Sequence, residues 1–384
     1  MTRYSAVRRQ GFAQDGKCEV QVLDYKQQQH RLFPLLASAY CFFFTGKKLL
    51  DRLQDIEDRF LSDKHVSKPE ATDIHASSSA LKSFTTTVAA DGIEDCRKAC
   101  GGHGYLQSSG IPELVTTYLM NPTVEGDNHM LPQQVVKVLL KLVQVVQADG
   151  DLSSYKKCDS YDLIAPLKAI FSGEKETFGA QSPEATIDLD ILLKAFCHRV
   201  ARLLAECAEQ LQQKTMDGKS AQDAWNESLL IMARISRAYS QYLLLRDFVQ
   251  GIGNSKEVLG PRELSVLTDL ARLFGLYWME REIGDFFEDG FLSQDQAKWV
   301  RNGVMALLDV VRPNAVALVD AFDHSDFILK SALGRFDGNV YPAIMEAAKK
   351  DPLNNNNVGP GYEEHLKRLI VGGVGVYTGT ASRL

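Results

Sequence analysis

Apolar residues in this chain recur at spacings of three and four over nearly its whole length, and no other feature limits the possible folds so tightly. Between positions 189 and 211, Leu189, Leu192, Leu193, Phe196, Val200, Leu203, Leu204, Cys207 and Leu211 form one unbroken apolar face. A half-buried strand requires strict alternation instead, and alternating runs are scarce here. The pattern therefore predicts an all-α protein, in which each helix hides one stripe against its neighbours.

The stripes fall into two successive helical bundles. In the first, spanning 1–150, helices are expected over about 24–60, 72–101 and 128–147; the last carries Leu131, Val135, Val138, Leu139, Leu142, Val143 and Val146. Breakers then crowd in (Gly150, Pro166, Gly173, Gly179 and Pro183), and 151–183 reads as a linker with a little local structure. The second bundle, 184–370, contains four apolar faces. After the 189–211 face come Trp225 to Val249, Leu264 to Trp278, and Trp299 to Val311, which stops near Pro313. Breakers at Met216-Asp217-Gly218 and across 251–261 mark the loops between them. The remaining 371–384 is a Gly-rich flexible tail.

Several function classes are disfavoured at this point. A net charge of −6 with no basic stripe argues against nucleic acid as a partner. The longest apolar stretch, 35–44, is about half of the roughly 20 residues a spanning helix needs, so no membrane is expected. The first residues lack an apolar secretory core. Seven cysteines, an odd number thinly spread, suit reduced thiols packed as small hydrophobes. The chain ends in Ser382-Arg383-Leu384, a close variant of the Ser-Lys-Leu address read by the peroxisomal import receptor.

Three constellations could carry chemistry. Cys100-Gly101-Gly102-His103-Gly104-Tyr105 ends a long helical pattern, and its glycines either make a plain turn or let backbone approach a ligand. Cys96, Cys100 and His103 share a helical face, but a zinc site would lack a fourth ligand with suitable spacing, and no metal is expected. Pro122-Thr123-Val124-Glu125-Gly126-Asp127-Asn128 leads into a helix; its acidic residues would serve equally as caps, with Asp127 or Asn128 at the N-cap. Arg8-Arg9-Gln10 suits a pyrophosphate, whose oxygens accept guanidinium forks, and equally suits a solvated helix end.

Taken in order, several segments resemble the acyl-CoA oxidase branch of the acyl-CoA dehydrogenase superfamily. They are Tyr-Ser-Ala-Val-Arg-Arg-Gln (4–10), Gln-Gln-His-Arg-Leu-Phe-Pro-Leu-Leu-Ala-Ser-Ala-Tyr (28–40), Ala-Asp-Gly-Ile-Glu-Asp-Cys-Arg-Lys-Ala-Cys-Gly-Gly-His-Gly-Tyr (90–105), Glu-Gly-Asp-Asn (125–128), Ala-Leu-Gly-Arg-Phe-Asp-Gly-Asn-Val-Tyr (332–341) and Asp-Pro-Leu-Asn (351–354). The final Ser-Arg-Leu completes the series. The resemblance implies the carboxy-terminal half of such an enzyme, with the family's amino-terminal helical domain and middle β-domain lying outside this sequence.

What the resemblance implies for chemistry is specific. Glu125 would be the general base that removes the α-proton of a fatty acyl-CoA, while the β-hydrogen leaves as hydride to FAD, giving a trans-2-enoyl-CoA. Oxygen would then reoxidise the flavin, yielding hydrogen peroxide in peroxisomal fatty-acid β-oxidation. Arg8 and Gln10 match residues that reach the flavin of a neighbouring subunit. Gly101 and Gly102 match a glycine pair packed on the cofactor, and Gly126 and Asp127 match positions facing it. A homodimer with shared flavins follows, or pairing of this chain with a full-length oxidase as a non-catalytic bundle. An acyl-CoA dehydrogenase is a further alternative, although short dehydrogenases end soon after the third helix. Two positions depart from the pattern: Val124 stands where relatives place an aromatic, and Lys98 where dehydrogenases tend to have Gln.

Overall fold

The structure is a computed structural model that describes residues 1–13 and 16–371. It is all-α, as the periodicity predicts. Residues 1–150 carry α1 (Thr2–Val7), α2 (Lys26–Leu61), α3 (Lys68–Ala99), α4 (Ile111–Tyr118) and α5 (Leu131–Gln147). A hairpin of β1 (Arg9–Phe12) against β2 (Glu19–Gln21) is the one sheet among the described residues. The following segment carries α6 (Ile164–Phe171). Then come α7 (Leu189–Met216), α8 (Ala221–Asn226), α9 (Leu229–Asn254), α10 (Pro261–Arg281), α11 (Ile283–Phe287), α12 (Gln294–Val311) and α13 (Ala315–Asp320). Short helices α14 (Asp326–Leu329), α15 (Val340–Lys349) and α16 (Lys367–Val371) close the described chain.

The four apolar faces of the second block become α7, α9, α10 and α12, and they do not stand apart from the first block. α2 lies against both α9 and α10, α5 against α9 and α7, and one cluster of buried side chains runs from Leu23 to Leu318. The segment 151–183 joins that cluster through Leu163, Leu167, Phe178 and Ala180, each essentially inaccessible. Its polar groups are also locked in. Arg246 of α9 donates to Asp159 Oδ1 at 2.6 Å and Asp162 Oδ2 at 3.1 Å, while Asp73 of α3 accepts from the Asp159 and Ser160 backbone amides. Burying Arg246, Asp159 and Asp73 is tolerable because each is paired and hydrogen-bonded.

Two local readings shift. The loop expected across 251–261 is shorter, because α9 continues through Gly251 to Asn254. A Cβ at Gly251 would lie 2.3 Å from a ring carbon of Phe44, so this glycine permits close helix contact instead of ending the helix. Gln294–Asp320 is long and apolar enough to cross a membrane by length and composition. It nonetheless seats Val300, Val304, Leu307, Leu308 and Val311 in the core, with α12 against α10 and α2. One apolar face on a partly polar helix is the mark of a core helix.

Candidate functional site

Sequence segments more than 200 residues apart meet at the end of α3. Its last turn leads into the 3-10 turn Gly101–Gly104, and α1 lies across that turn. Tyr4, Cys100, Leu333 and Val340 form a small second core there, and the Tyr4 hydroxyl bonds His103 Nδ1 at 2.9 Å. Arg3, itself buried, donates to Asp320 Oδ1 and to the Gly334 carbonyl, both at 2.7 Å. The Ala332 amide donates to the Ser108 carbonyl at 2.8 Å. The 332–341 run therefore holds α1 in place.

Between α1, the hairpin and the glycine turn opens a cleft of about 500 Å³, lined by Tyr4, Arg8, Gln10, Val22, Ala99, Cys100, Gly101, Gly102, His103 and Leu106. Four residues singled out from the sequence, Arg8, Gln10, Gly101 and Gly102, are thus brought together. Arg8 Nη2 donates to Gln10 Oε1 at 3.1 Å and Arg8 Nη1 to the Tyr341 hydroxyl at 3.4 Å. The two glycines differ in cause. Gly101 has φ +61°, a left-handed conformation, whereas Gly102 does not, and an added Cβ at either would meet nothing within 4 Å. The bare backbone at 101–102 faces open space, as a flat ligand laid against it would require.

The thiols here are inert. Burial pushes the Cys100 thiol up to about 11 and raises Cys96 as well, which keeps both protonated at neutral pH. His103 faces Tyr4, and among the described residues no cluster of three or more His, Cys, Asp or Glu is arranged to hold a metal ion.

Glu125, Gly126 and Asp127 do not line this cleft. Glu125 is exposed, at φ +55°, and Gly126 follows at φ +103°. Two successive left-handed residues make a sharp corner, which costs about 1 kcal/mol or more at a residue with a side chain. Among the described residues, this carboxylate therefore stands open to solvent. The capping expectation also changes. α5 starts at Leu131 behind Met130 with no side-chain cap, because Asn128 turns toward α3 and Asp127 Oδ1 accepts from the His129 amide at 2.8 Å. Ser382, Arg383 and Leu384 lie outside the described residues.

Next to these loops, α4 buries none of its residues, and Tyr105, Leu106, Leu114, Leu119, Met120 and Val124 are exposed. Apolar surface on this scale at a candidate site marks a contact surface.

Comparison with known proteins gives consistent matches. A family profile described as "Acyl-CoA oxidase, C-alpha1 domain" matches residues 1–140, and one described as "Acyl-CoA oxidase" matches 188–371. The chain is 39% identical over 374 residues to peroxisomal acyl-coenzyme A oxidase 1 of Arabidopsis thaliana, covering 96% of this chain and 53% of that protein. The crystal structure of a tomato acyl-CoA oxidase superimposes with TM-score 0.86 at 37% identity, over 96% of this chain and 54% of the other. Acyl-CoA oxidase-2 of Caenorhabditis elegans, bound with FAD, ascaroside-CoA and ATP, gives TM-score 0.83 at 34% identity, over 97% and 52%. The chain spans about half the length of the relatives it matches.

Proposed function

The chain belongs to the acyl-CoA oxidase family, and on that premise we propose that it forms the base-bearing half of a peroxisomal, FAD-dependent acyl-CoA oxidase site. The observation that carries this reading is the convergence of Arg8, Gln10, Gly101 and Gly102 on one cleft, with bare backbone at the glycine pair. These residues fit a flat, phosphate-bearing group. The Arg8 fork suits phosphate oxygens, the Gln10 amide offers a polar edge, and the glycines permit contact with the backbone. Gly126 and Asp127 would meet the group from the Glu125 loop, which lies outside the cleft.

When bound, FAD would accept the hydride from the β-carbon and pass the electrons to oxygen, forming hydrogen peroxide. The chain's own task is the proton. Glu125 would take it from the carbon beside the thioester carbonyl, whose acidity rises as that carbonyl is hydrogen-bonded. An exposed carboxylate is a poor base for so weak an acid, so the site needs a cover that excludes water. The unburied α4 and the apolar residues flanking Glu125 fit that cover. It would come from the remaining half of an oxidase, from a second subunit, or from both. The peroxisomal name of the Arabidopsis relative and the Ser382-Arg383-Leu384 terminus support the same organelle for this chain.

A second reading rests on the exposure of Glu125 and on the half-length match: a non-catalytic bundle that pairs with a full-length oxidase. Peroxide release from a fatty acyl-CoA, measured on the chain with FAD, alone and with a full-length relative whose own base is replaced by Gln, separates the two. The catalytic reading expects release that Glu125→Gln abolishes while bound flavin absorbance stays the same. Peroxide formation insensitive to that substitution would refute it, and a stable but silent heterodimer would favour the second reading.

A further inference from the structure

The corner that carries Glu125 is clamped to α3 by two side chains. Lys82 Nζ donates to the Gly126 carbonyl at 2.5 Å and to Asn128 Oδ1 at 2.9 Å. Asn128 Nδ2 turns its two protons toward three acceptors, the Ser83 carbonyl at 2.9 Å, Thr86 Oγ1 at 2.9 Å and Thr87 Oγ1 at 2.8 Å. The Asn128 amide closes the base of the loop on the Pro122 carbonyl at 3.0 Å. On its other side, Gly126 is so close to Leu131 that a Cβ would lie 2.8 Å from Cδ2.

The bonding fixes the orientation of the Asn128 amide. The Thr86 and Thr87 hydroxyls spend their protons on the Lys82 and Ser83 carbonyls, so both present only lone pairs to position 128. The face toward α3 must therefore be an NH2 and the face toward Lys82 an oxygen. Aspartate would set an oxygen against three oxygens. This arrangement exceeds what a turn needs for closure, and it surrounds a residue held in the costly left-handed region.

We propose that Lys82 and Asn128 are positioning residues that clamp the 122–128 loop onto α3 and fix the direction in which Glu125 presents its carboxylate. The proposal rests on the reading of Glu125 as the base. Lys82 holds the Gly126–Asp127 peptide, one peptide beyond those that flank Glu125, so its loss loosens the corner from which the carboxylate is aimed. A displacement of about 1 Å in a reacting group costs on the order of 100-fold in rate.

The test has two arms. In the first, the full chain is digested with a glutamate-specific protease. Lys82→Met should speed cleavage after Glu125 at least tenfold, with other cuts and the thermal midpoint unchanged; Asn128→Asp should speed it as much with a lowered midpoint, and Lys82→Arg should restore protection. In the second, peroxide release is measured with FAD and a full-length relative whose own base is replaced by Gln. Lys82→Met should lower kcat about 100-fold with KM and bound flavin within twofold of wild type, and Lys82→Arg should recover most of the loss. Unchanged digestion together with unchanged kcat in Lys82→Met, where Glu125→Gln is inactive, overturns the clamp and leaves the base intact. An active Glu125→Gln overturns the base itself, and faster digestion in that case supports the clamp as a loop anchor alone.

Discussion

Gly101, Gly102 and Gly104 sit within four residues yet answer to different constraints. A Cβ at Gly104 would lie 2.0 Å from the Arg97 carbonyl oxygen, so no side chain fits there without moving the helix end. Gly104→Ala should lower stability by about 2–3 kcal/mol, read by denaturant unfolding. Gly102 lacks both that contact and the left-handed backbone of Gly101. Gly102→Ala should leave the unfolding midpoint unchanged or slightly raised, while FAD affinity measured by fluorescence quenching falls about tenfold. Loss of stability without loss of affinity would mean that the glycine serves the turn. Sequence reasoning could name all three glycines but could not rank them, since the atoms that decide come from position 97 and from the space beside α1. The same limit applied to Lys82, an ordinary surface-type residue whose partners lie more than 40 positions away.

At the scale of elements, α7, α9 and α11 are tied by a buried charge network. Arg199, about 1% exposed, donates to Asp285 Oδ2 at 2.7 Å and also bonds Gln241, while Arg234 reaches Asp285 Oδ1 at 2.5 Å. Burial alone would raise Asp285, but the Arg199 charge and the hydrogen bonds from Arg234 and Arg199 hold it below the usual carboxylate range. Burial likewise would raise Asp289, but the hydrogen bonds from His198 and from the Phe291 amide outweigh it and hold this carboxyl low as well. Both folded values lie under that of an unfolded aspartate, near 3.9, so their stabilisation is complete above about pH 4 and is lost as pH falls through the folded values. Asp285→Asn should cost about 3 kcal/mol at pH 7, by stranding Arg199, and progressively less below about pH 4. A penalty independent of pH would show that the loss is one of packing. None of this network was legible in the sequence, because i, i+4 reasoning sees neighbours on one helix and these partners are on three. The helices themselves were legible, since the apolar period that defines α7, α10 and α12 depends on local order alone. The hairpin at 9–12 and 19–21 escaped that test, being too short to show a period; Tyr25 secures it by donating to the Gln10 carbonyl at 2.7 Å.

For the whole molecule, the fold confines its open questions to one region. The core is continuous from Leu23 to Leu318, yet α4 and its flanking loops remain uncovered beside the residues assigned to flavin and base. Leu114→Glu with Leu119→Glu should reduce self-association in sedimentation velocity without shifting the unfolding midpoint, because neither side chain is buried. A large drop in midpoint would place them in the core. Removal of residues 382–384 from an amino-terminal fluorescent fusion should release it from peroxisomes into the cytosol. The central claim concerns a single proton, and its most direct test follows that proton. Deuterium uptake at the α-carbon of a fatty acyl-CoA in D2O, with FAD and a full-length relative whose own base is replaced by Gln but without oxygen, should proceed with the wild-type chain and cease with Glu125→Gln. Uptake at the wild-type rate in Glu125→Gln would contradict the account.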